Sequence, residues 1–278
     1  EGVPIPGINN SLRYKKMANL INIKNADIVC LQECFSKSLR NILQDSITSS
    51  YKTKYPFKCN RNILGLNMDC RGGLMTLSKY EILLEHFYKY PNYKGMSFIE
   101  KIGSKGFLFT VINYNGKLIN VINTHLYSGH SKKAKTIRKN QIDFMNKIID
   151  SLMLINDYPL ILAGDLNIQH SDIKGVSNKL DNITVYKYIT EKMNFIDPIK
   201  KIGDNDYTFD YKRSIYCPKN KAGRQKLDYC LIKNDNTLDC IFSKTIFDGN
   251  QAVSDHLGLF TRLCFSNTTN DLVAKQIK

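Results

Sequence analysis

The segment Ala26 to Glu33 (ADIVCLQE) is apolar at consecutive positions through its middle, and so is Pro159 to Ala163 (PLILA). A strand covered on one face alternates apolar and polar residues, whereas a strand apolar at every position is covered on both faces. Such strands need a packed layer on each side, and amphipathic helices lie between them. Ser11 to Ile23 sets Leu12, Met17, Leu20 and Ile21 at helical spacing behind a Ser cap, and Ser36 to Ser46 has the same form. Lys132 to Leu154 aligns Ile137, Gln141, Phe144, Ile148 and Leu152 on one face, with Lys132, Lys135, Arg138 and Lys139 off it, and Val185 to Met193 also reads as helix. Gly73 to Ser78 and Glu81 to Tyr88 read as short strands. Phe107 to Tyr114 and Lys117 to Leu126 form a hairpin through Asn115-Gly116, the dipeptide a type I′ turn prefers. Leu227 to Ile232, Leu238 to Phe247 and Gly258 to Cys264 close the pattern. The expectation is one layered α/β domain over residues 1–270 with a frayed tail at 271–278.

Composition narrows the partners. The chain has 278 residues, 42% of them apolar, which is ample for a core and excludes a wholly disordered chain. No apolar run approaches the roughly 18 residues that a membrane-crossing helix needs. A net charge of +15 predicts attraction to an anionic partner. Lysine supplies most of it, with 32 Lys against 8 Arg, alongside 28 Asn, so a compositional bias accounts for the charge as readily as a ligand does. Lysine also lacks the bidentate fork with which arginine reads bases and phosphates. Lys132, Lys133, Lys135, Arg138 and Lys139 are the best basic cluster and read first as a solvated helix face. Eight cysteines form no C-x-x-C pair and no zinc spacing, and Cys30, Cys230 and Cys264 lie in apolar runs. These read as free thiols in a reducing, intracellular compartment, with a secreted, disulfide-bonded chain left open by the even count.

The chemical signal is at the strand ends. One strand ends Leu31-Gln32-Glu33, the hairpin's second strand Asn123-Thr124-His125, and the Pro159 strand Gly164-Asp165-Leu166-Asn167. Ser254-Asp255-His256 precedes the last strand. Carboxylates, an amide and two histidines at the ends of buried strands are costly unless they converge on one solvated site. Singly each has a bland explanation: Glu33 a solvated strand end, His125 a hydrogen-bonded structural histidine, Asp255-His256 a capped turn. Together they match a hard-cation site for phosphoester hydrolysis, with carboxylates on Mg²⁺ and histidine as acid–base group.

LQE at 31–33, NTHL at 123–126, GDLN at 164–167, KLDY at 226–229 and SDH at 254–256 occur in an order and spacing that resemble the endonuclease/exonuclease/phosphatase superfamily, over roughly residues 8–264. The resemblance implies a deoxyribonuclease-like four-layer α/β sandwich of two packed mixed sheets flanked by helices. It implies Glu33 as metal ligand with Asp255 beside the metal, and Asp165 and Asn167 at the nucleophile and scissile phosphate. His256 would be the general base, oriented by Asp228, and His125 a donor to the phosphoryl oxygen. RGGLMTLSK at 71–79, SKGFLFT at 104–110, DYTFD at 206–210 and PGINNS at 6–11 are similar to neutral sphingomyelinases. That implies Mg²⁺-dependent hydrolysis of sphingomyelin, and of choline lysophospholipids, to release phosphocholine, with Mn²⁺ or Co²⁺ as substitutes. A monomer at a membrane surface follows, touching anionic lipid through its lysines, with no nucleic-acid partner. Tyr127, Tyr207 and Phe209 are candidates for an aromatic cage around the choline.

Two departures accompany the resemblance. The family's opening strand carries an Asn ligand upstream of PGINNS, and the chain opens at Glu1 without an initiator Met, so a processed or cut-down chain lacking that first strand is expected. Asn234 to Val253 is short, with Phe242 and Phe247 only, and does not predict an aromatic membrane-dipping hairpin. An Mg²⁺-dependent endonuclease and a non-catalytic binding domain remain alternatives on the same residues.

Overall fold

The computed structural model describes residues 9–48, 50–53, 60–63, 66–69, 71–129, 131–168, 182–199, 203, 205–219 and 224–266. The expected tail at 271–278, Cys59 and Cys70 lie outside them.

The strand alternation sorts side chains into three interlayer cores. A six-stranded sheet runs β5 (Glu81–Lys89), β6 (Gly106–Tyr114), β7 (Lys117–His125), β8 (Leu160–Asp165), β10 (Asp228–Lys233), β9 (Phe195–Ile196), and it is antiparallel except for the parallel β7–β8 pair. On one face, Phe107, Phe109, Ile122, Leu160, Leu162, Tyr229 and Leu231 pack against Ile142, Met145 and Ile149 of α4 (Lys132–Met153) and Val185 of α5 (Asn182–Lys187). On the other, Ile112, Ile119, Val121, Ile161 and Ile232 meet the second sheet layer. That layer is built of the antiparallel ladders β1 (Ile28–Leu31) with β4 (Met75–Ser78) and β11 (Leu238–Ile246) with β12 (Gly258–Phe265). No hydrogen bonds join these two ladders to each other among the described residues. Val29, Leu31, Met75 and Leu77 turn outward onto Tyr14, Ala18 and Ile21 of α1 (Asn10–Lys24) and Leu39 and Leu43 of α2 (Lys37–Ser46). The result is the expected sandwich of two packed sheets between helices, its β1 and β8 doubly covered as their composition demands.

Local chemistry sets most boundaries. Asn115 and Gly116 both take positive φ (52° and 89°), as a type I′ turn requires. Ser36 and Ser131 cap α2 and α4 by accepting from Leu39 and Ala134 N–H. The cap of α1 is Asn9 rather than Ser11, because the Asn9 Oδ1 accepts from Leu12 N–H at 3.0 Å and the helix starts one residue before Ser11. The buried stripe of α4 also departs from expectation: Ile137 and Gln141 are buried, but the stripe continues through Ile142, Met145 and Ile149. Arg138, expected on the solvated face, is fully buried and donates to the carbonyls of Tyr127 and Gly129 at 2.9 and 2.8 Å. A hairpin of β2 (Asn60–Ile63) and β3 (Leu66–Asp69), and the short α3 (Phe98–Ile102), have no expected counterpart. Within Asn234 to Val253, the nine residues of β11 are paired along the strand with β12. Cys30, Cys34, Cys217, Cys230, Cys240 and Cys264 are free thiols. No helix among the described residues is long and apolar enough to cross a membrane.

Gly164 has φ 138°, and a Cβ there would collide with the Thr124 carbonyl of the neighbouring parallel strand. Gly164→Ala is expected to lower stability by about 3 kcal/mol in chemical denaturation, because backbone rather than a side chain must move. Burial raises the phenol pKa of Tyr14 and of Tyr90 well above 10. The unfolded chain releases those protons near pH 10 while the folded chain keeps them, so stability is expected to fall as pH rises past 10. In an alkaline titration, the phenolate absorbance of this class should then appear in step with unfolding seen by circular dichroism.

Candidate active site

Sheet register alone lines up three of the polar strand ends. His125 at the end of β7 is opposite Asp165 at the end of β8, and Asp165 is opposite Asp228 at the start of β10. The fourth group arrives from outside the sheet. His256 Nδ1 lies 2.8 Å from Asp228 Oδ2, so the carboxylate fixes the imidazole tautomer and leaves Nε2 to act. The Asp206–Asp210 segment joins these two. Thr208 Oγ1 accepts from the Leu227 and Asp228 N–H groups at 2.9 and 3.1 Å, its carbonyl accepts from Leu257 N–H at 2.7 Å, and the Phe209 ring meets the His256 ring edge-on at 5.2 Å.

Glu33 follows β1 in the second sheet. Its φ of 58° is left-handed, a conformation costing a non-glycine residue about 1 kcal/mol, and its Oε1 stands 3.9 Å from His125 Nδ1. The sheets are tied together here: Gln32 Nε2 donates to Asn123 Oδ1 at 2.7 Å, and Asn123 Nδ2 donates to the carbonyls of Leu31 and Met75, each at 3.1 Å. Asn167, also left-handed, donates from its backbone to Asp165 Oδ1 at 2.8 Å and from its side chain to the Leu126 carbonyl at 3.1 Å. Asp255 Oδ1 accepts from Ser254 Oγ at 3.0 Å, and its charge acts on His256. All seven residues singled out by sequence therefore lie at the same end of the sandwich.

Lys105 and Glu100 were not among them. Buried Lys105 places Nζ 3.1 Å from His125 Nε2, donates to the Leu126 carbonyl at 2.8 Å and pairs with Glu100 at 3.0 Å. An ammonium only donates, so His125 Nε2 is the acceptor and the imidazole proton sits on Nδ1. That buried Nδ1 has no hydrogen-bond partner among the described residues and is available to an incoming oxygen. Burial, then the Lys105 charge, push the His125 pKa well below 6.5, which keeps the ring neutral. In a chain so rich in lysine, the SKGFLFT segment at 104–110 includes Lys105 without giving it a role; its burial beside His125 does. Of the aromatic candidates, Tyr207 carries the Arg224 guanidinium over its ring at 4.4 Å, so that face is taken.

Electrostatics favours a cation at the centre. Asp165, Asp228 and His256 offer ligand atoms all within 4.8 Å of one another. Burial, then Asp228, raise the Asp165 carboxyl well above its ordinary range. Burial opposes a charge on His256, but the pull of Asp228, and then of Asp165 and Asp255, outweighs it and lifts the pKa to about 10. Crowded carboxylate oxygens of this kind suit a hard divalent ion.

A model of the Endonuclease/Exonuclease/phosphatase family matches residues 4–256, a span that includes every one of these groups. The chain belongs to that family. It is 26% identical over 251 residues to Sphingomyelinase C 1 of Leptospira interrogans, covering 85% of this chain and 39% of that protein. With Phospholipase C of Staphylococcus aureus it shares 29% identity over 237 residues, 76% of this chain and 61% of that one. The chain thus spans between a quarter and two fifths of the first curated relatives it matches. Among solved structures it is similar to SmcL (TM-score 0.68, 21% identity, 93% and 92% of the two chains). It is also similar to Danio rerio TDP2 in complex with a single-strand DNA product (TM-score 0.71, 14% identity, 93% and 94%). The family's sandwich accounts for the layers above.

Lys105→Met is expected to destabilise the chain by about 3 kcal/mol, because it strands the half-buried Glu100 carboxylate. Glu100→Gln, which keeps an acceptor, should cost clearly less; denaturant titrations of both variants make the comparison.

Proposed function

We propose that the chain is a divalent-metal-dependent phosphodiesterase that hydrolyses sphingomyelin, and choline lysophospholipids secondarily, to release phosphocholine at a membrane surface. The observation carrying the reading is the His256–Asp228 pair, 2.8 Å apart, facing the neutral, Nδ1-protonated His125 across a carboxylate cluster. The named relatives, a sphingomyelinase C and a phospholipase C, favour a lipid phosphodiester over a nucleic acid.

In this mechanism the phosphodiester lies between the two histidines. Water attacks phosphorus and passes its proton to His256 Nε2, while Nδ1 keeps its hydrogen bond to Asp228. The phosphorus–oxygen bond to the ceramide breaks, and that oxygen takes a proton from solvent water to give ceramide and phosphocholine, while His256 returns its proton to solvent. His125 Nδ1–H donates to a phosphoryl oxygen as negative charge grows there. Asn167 and Asp165 border the same phosphate. Glu33, Asp165, Asp228 and Asp255 would hold a divalent cation, Mg²⁺ with Mn²⁺ or Co²⁺ as substitutes, which when bound neutralises phosphate charge. His256 takes the proton in its neutral form, which the carboxylates around it allow only when their charge is shared with a cation.

The expected outcome is phosphocholine release from sphingomyelin vesicles that EDTA abolishes and Mg²⁺ restores. His256→Ala should lower the rate by about 10²–10⁴-fold with the thermal melt unchanged within a few degrees. Nicking of supercoiled DNA with no lipid turnover would replace this reading with the endonuclease, which the TDP2 likeness and the +15 charge favour.

A further inference from the structure

Two adjacent large apolar side chains on α3 face water. Phe98 and Ile99 are 74% and 79% exposed, while Met96 just before them is buried. They sit between the exposed Lys94 and Lys101, and the one carboxylate of α3, Glu100, is turned inward to Lys105 and to Ser128. The surface of this helix is therefore apolar at its centre and positive at its edges. It is also fastened to the active site, because Glu100 holds Lys105 and Lys105 holds His125. A second apolar point lies at the other histidine. Ile215, 80% exposed, sits near the exposed Lys212 and Lys219, and Ser214 Oγ anchors its loop to the Ser254 carbonyl next to Asp255.

A comparable pair elsewhere shows what distinguishes this one. Leu154 and Ile155, 89% and 82% exposed, end α4, with the exposed Asp157 beside them. The 22 residues of α4 put them at the far end of a helix about 33 Å long, whose first two turns include Arg138, which grips the chain leaving His125. That pair has a carboxylate for a neighbour and lies at the end away from the chemistry; the α3 pair has lysines and lies at the site.

We infer that Phe98, Ile99 and Ile215, with Lys94, Lys101, Lys212 and Lys219, form the face on which the chain docks to an anionic phospholipid surface. The apolar side chains enter the interface and the lysines meet the headgroups. The inference rests on the lipid-phosphodiesterase reading and names the surface that brings the site to its substrate, which lysines alone do not specify. Docking here holds His125 and His256 at the level of the lipid phosphates.

The test is co-sedimentation with vesicles of phosphatidylcholine and phosphatidylserine, read as binding without any need for turnover. The double variant Phe98→Ser, Ile99→Ser should partition at least about tenfold more weakly than the parent chain. Leu154→Ser, Ile155→Ser should partition like the parent, with melting curves showing that both variants are folded. Equal binding by the α3 variant, or equal loss in the α4 variant, overturns the inference. So does a parent chain that is dimeric in sedimentation velocity and becomes monomeric through the α3 change, since the patch would then join two copies. Vesicle binding that depends on the α3 pair, with no phosphocholine release from sphingomyelin vesicles supplied with Mg²⁺, leaves the docking face standing and removes the hydrolase reading. Phosphocholine release with α3-independent binding does the reverse.

Discussion

Asn123 is a buried amide between two sheets, and the geometry of the site depends on how it is satisfied. A primary amide left without partners in an apolar interior costs several kcal/mol, so its bonds act as a constraint. Its NH₂ group reaches the carbonyls of Leu31 and Met75 in the second sheet layer, and its oxygen accepts from Gln32. Apolar packing between sheets is non-directional and would tolerate sliding; these bonds do not. They hold the end of β1, and with it Glu33, against the end of β7, where His125 stands. Carboxylates and histidines from separate layers are thereby held within a few ångströms, as the 3.9 Å between Glu33 and His125 shows.

Within the six-stranded sheet, the remaining alignment is a matter of register. One residue of slip would move Asp165 away from both His125 and Asp228 and turn it to the other face. Gly164 lets β7 and β8 approach closely enough for that register, and the Thr208 bracket fixes where β10 begins. The two histidines then acquire opposite characters from their surroundings. Burial, then Lys105, keeps His125 neutral with its proton on Nδ1, whereas three carboxylates draw a proton onto His256. The two imidazoles thus differ in charge, His125 neutral and His256 holding an added proton.

Sequence periodicity made the layers legible because each strand's alternation reports which sides are covered. Val29 and Leu31 face α1 and α2, whereas Ile28 and Cys30 face the other sheet, and both sets are apolar. The type I′ hairpin, the Ser36 cap and the polar strand ends were legible for the same reason: their chemistry is local. Arg138 misled because a charged residue on a helix is ordinarily solvated, and its burial depends on carbonyls of a loop that only the fold brings near. The helix α3 is too short to show a period, and one lysine among many carries no mark of burial.

What the sequence by itself determined is the layered sandwich, through strands apolar on both faces, and the set of groups available for chemistry, through polar residues clustered at their ends. Only the tertiary structure decided how those groups relate. It gave His125 its lysine, buried Arg138 against the loop carbonyls, and left Phe98 and Ile99 in water beside the site. The physical reason is one of range. Periodicity, capping and turn preference act over a few residues and are written in the chain. Distances between groups far apart in sequence are set by register, by inter-sheet hydrogen bonds and by which charges are buried together, and these exist only once the layers have packed.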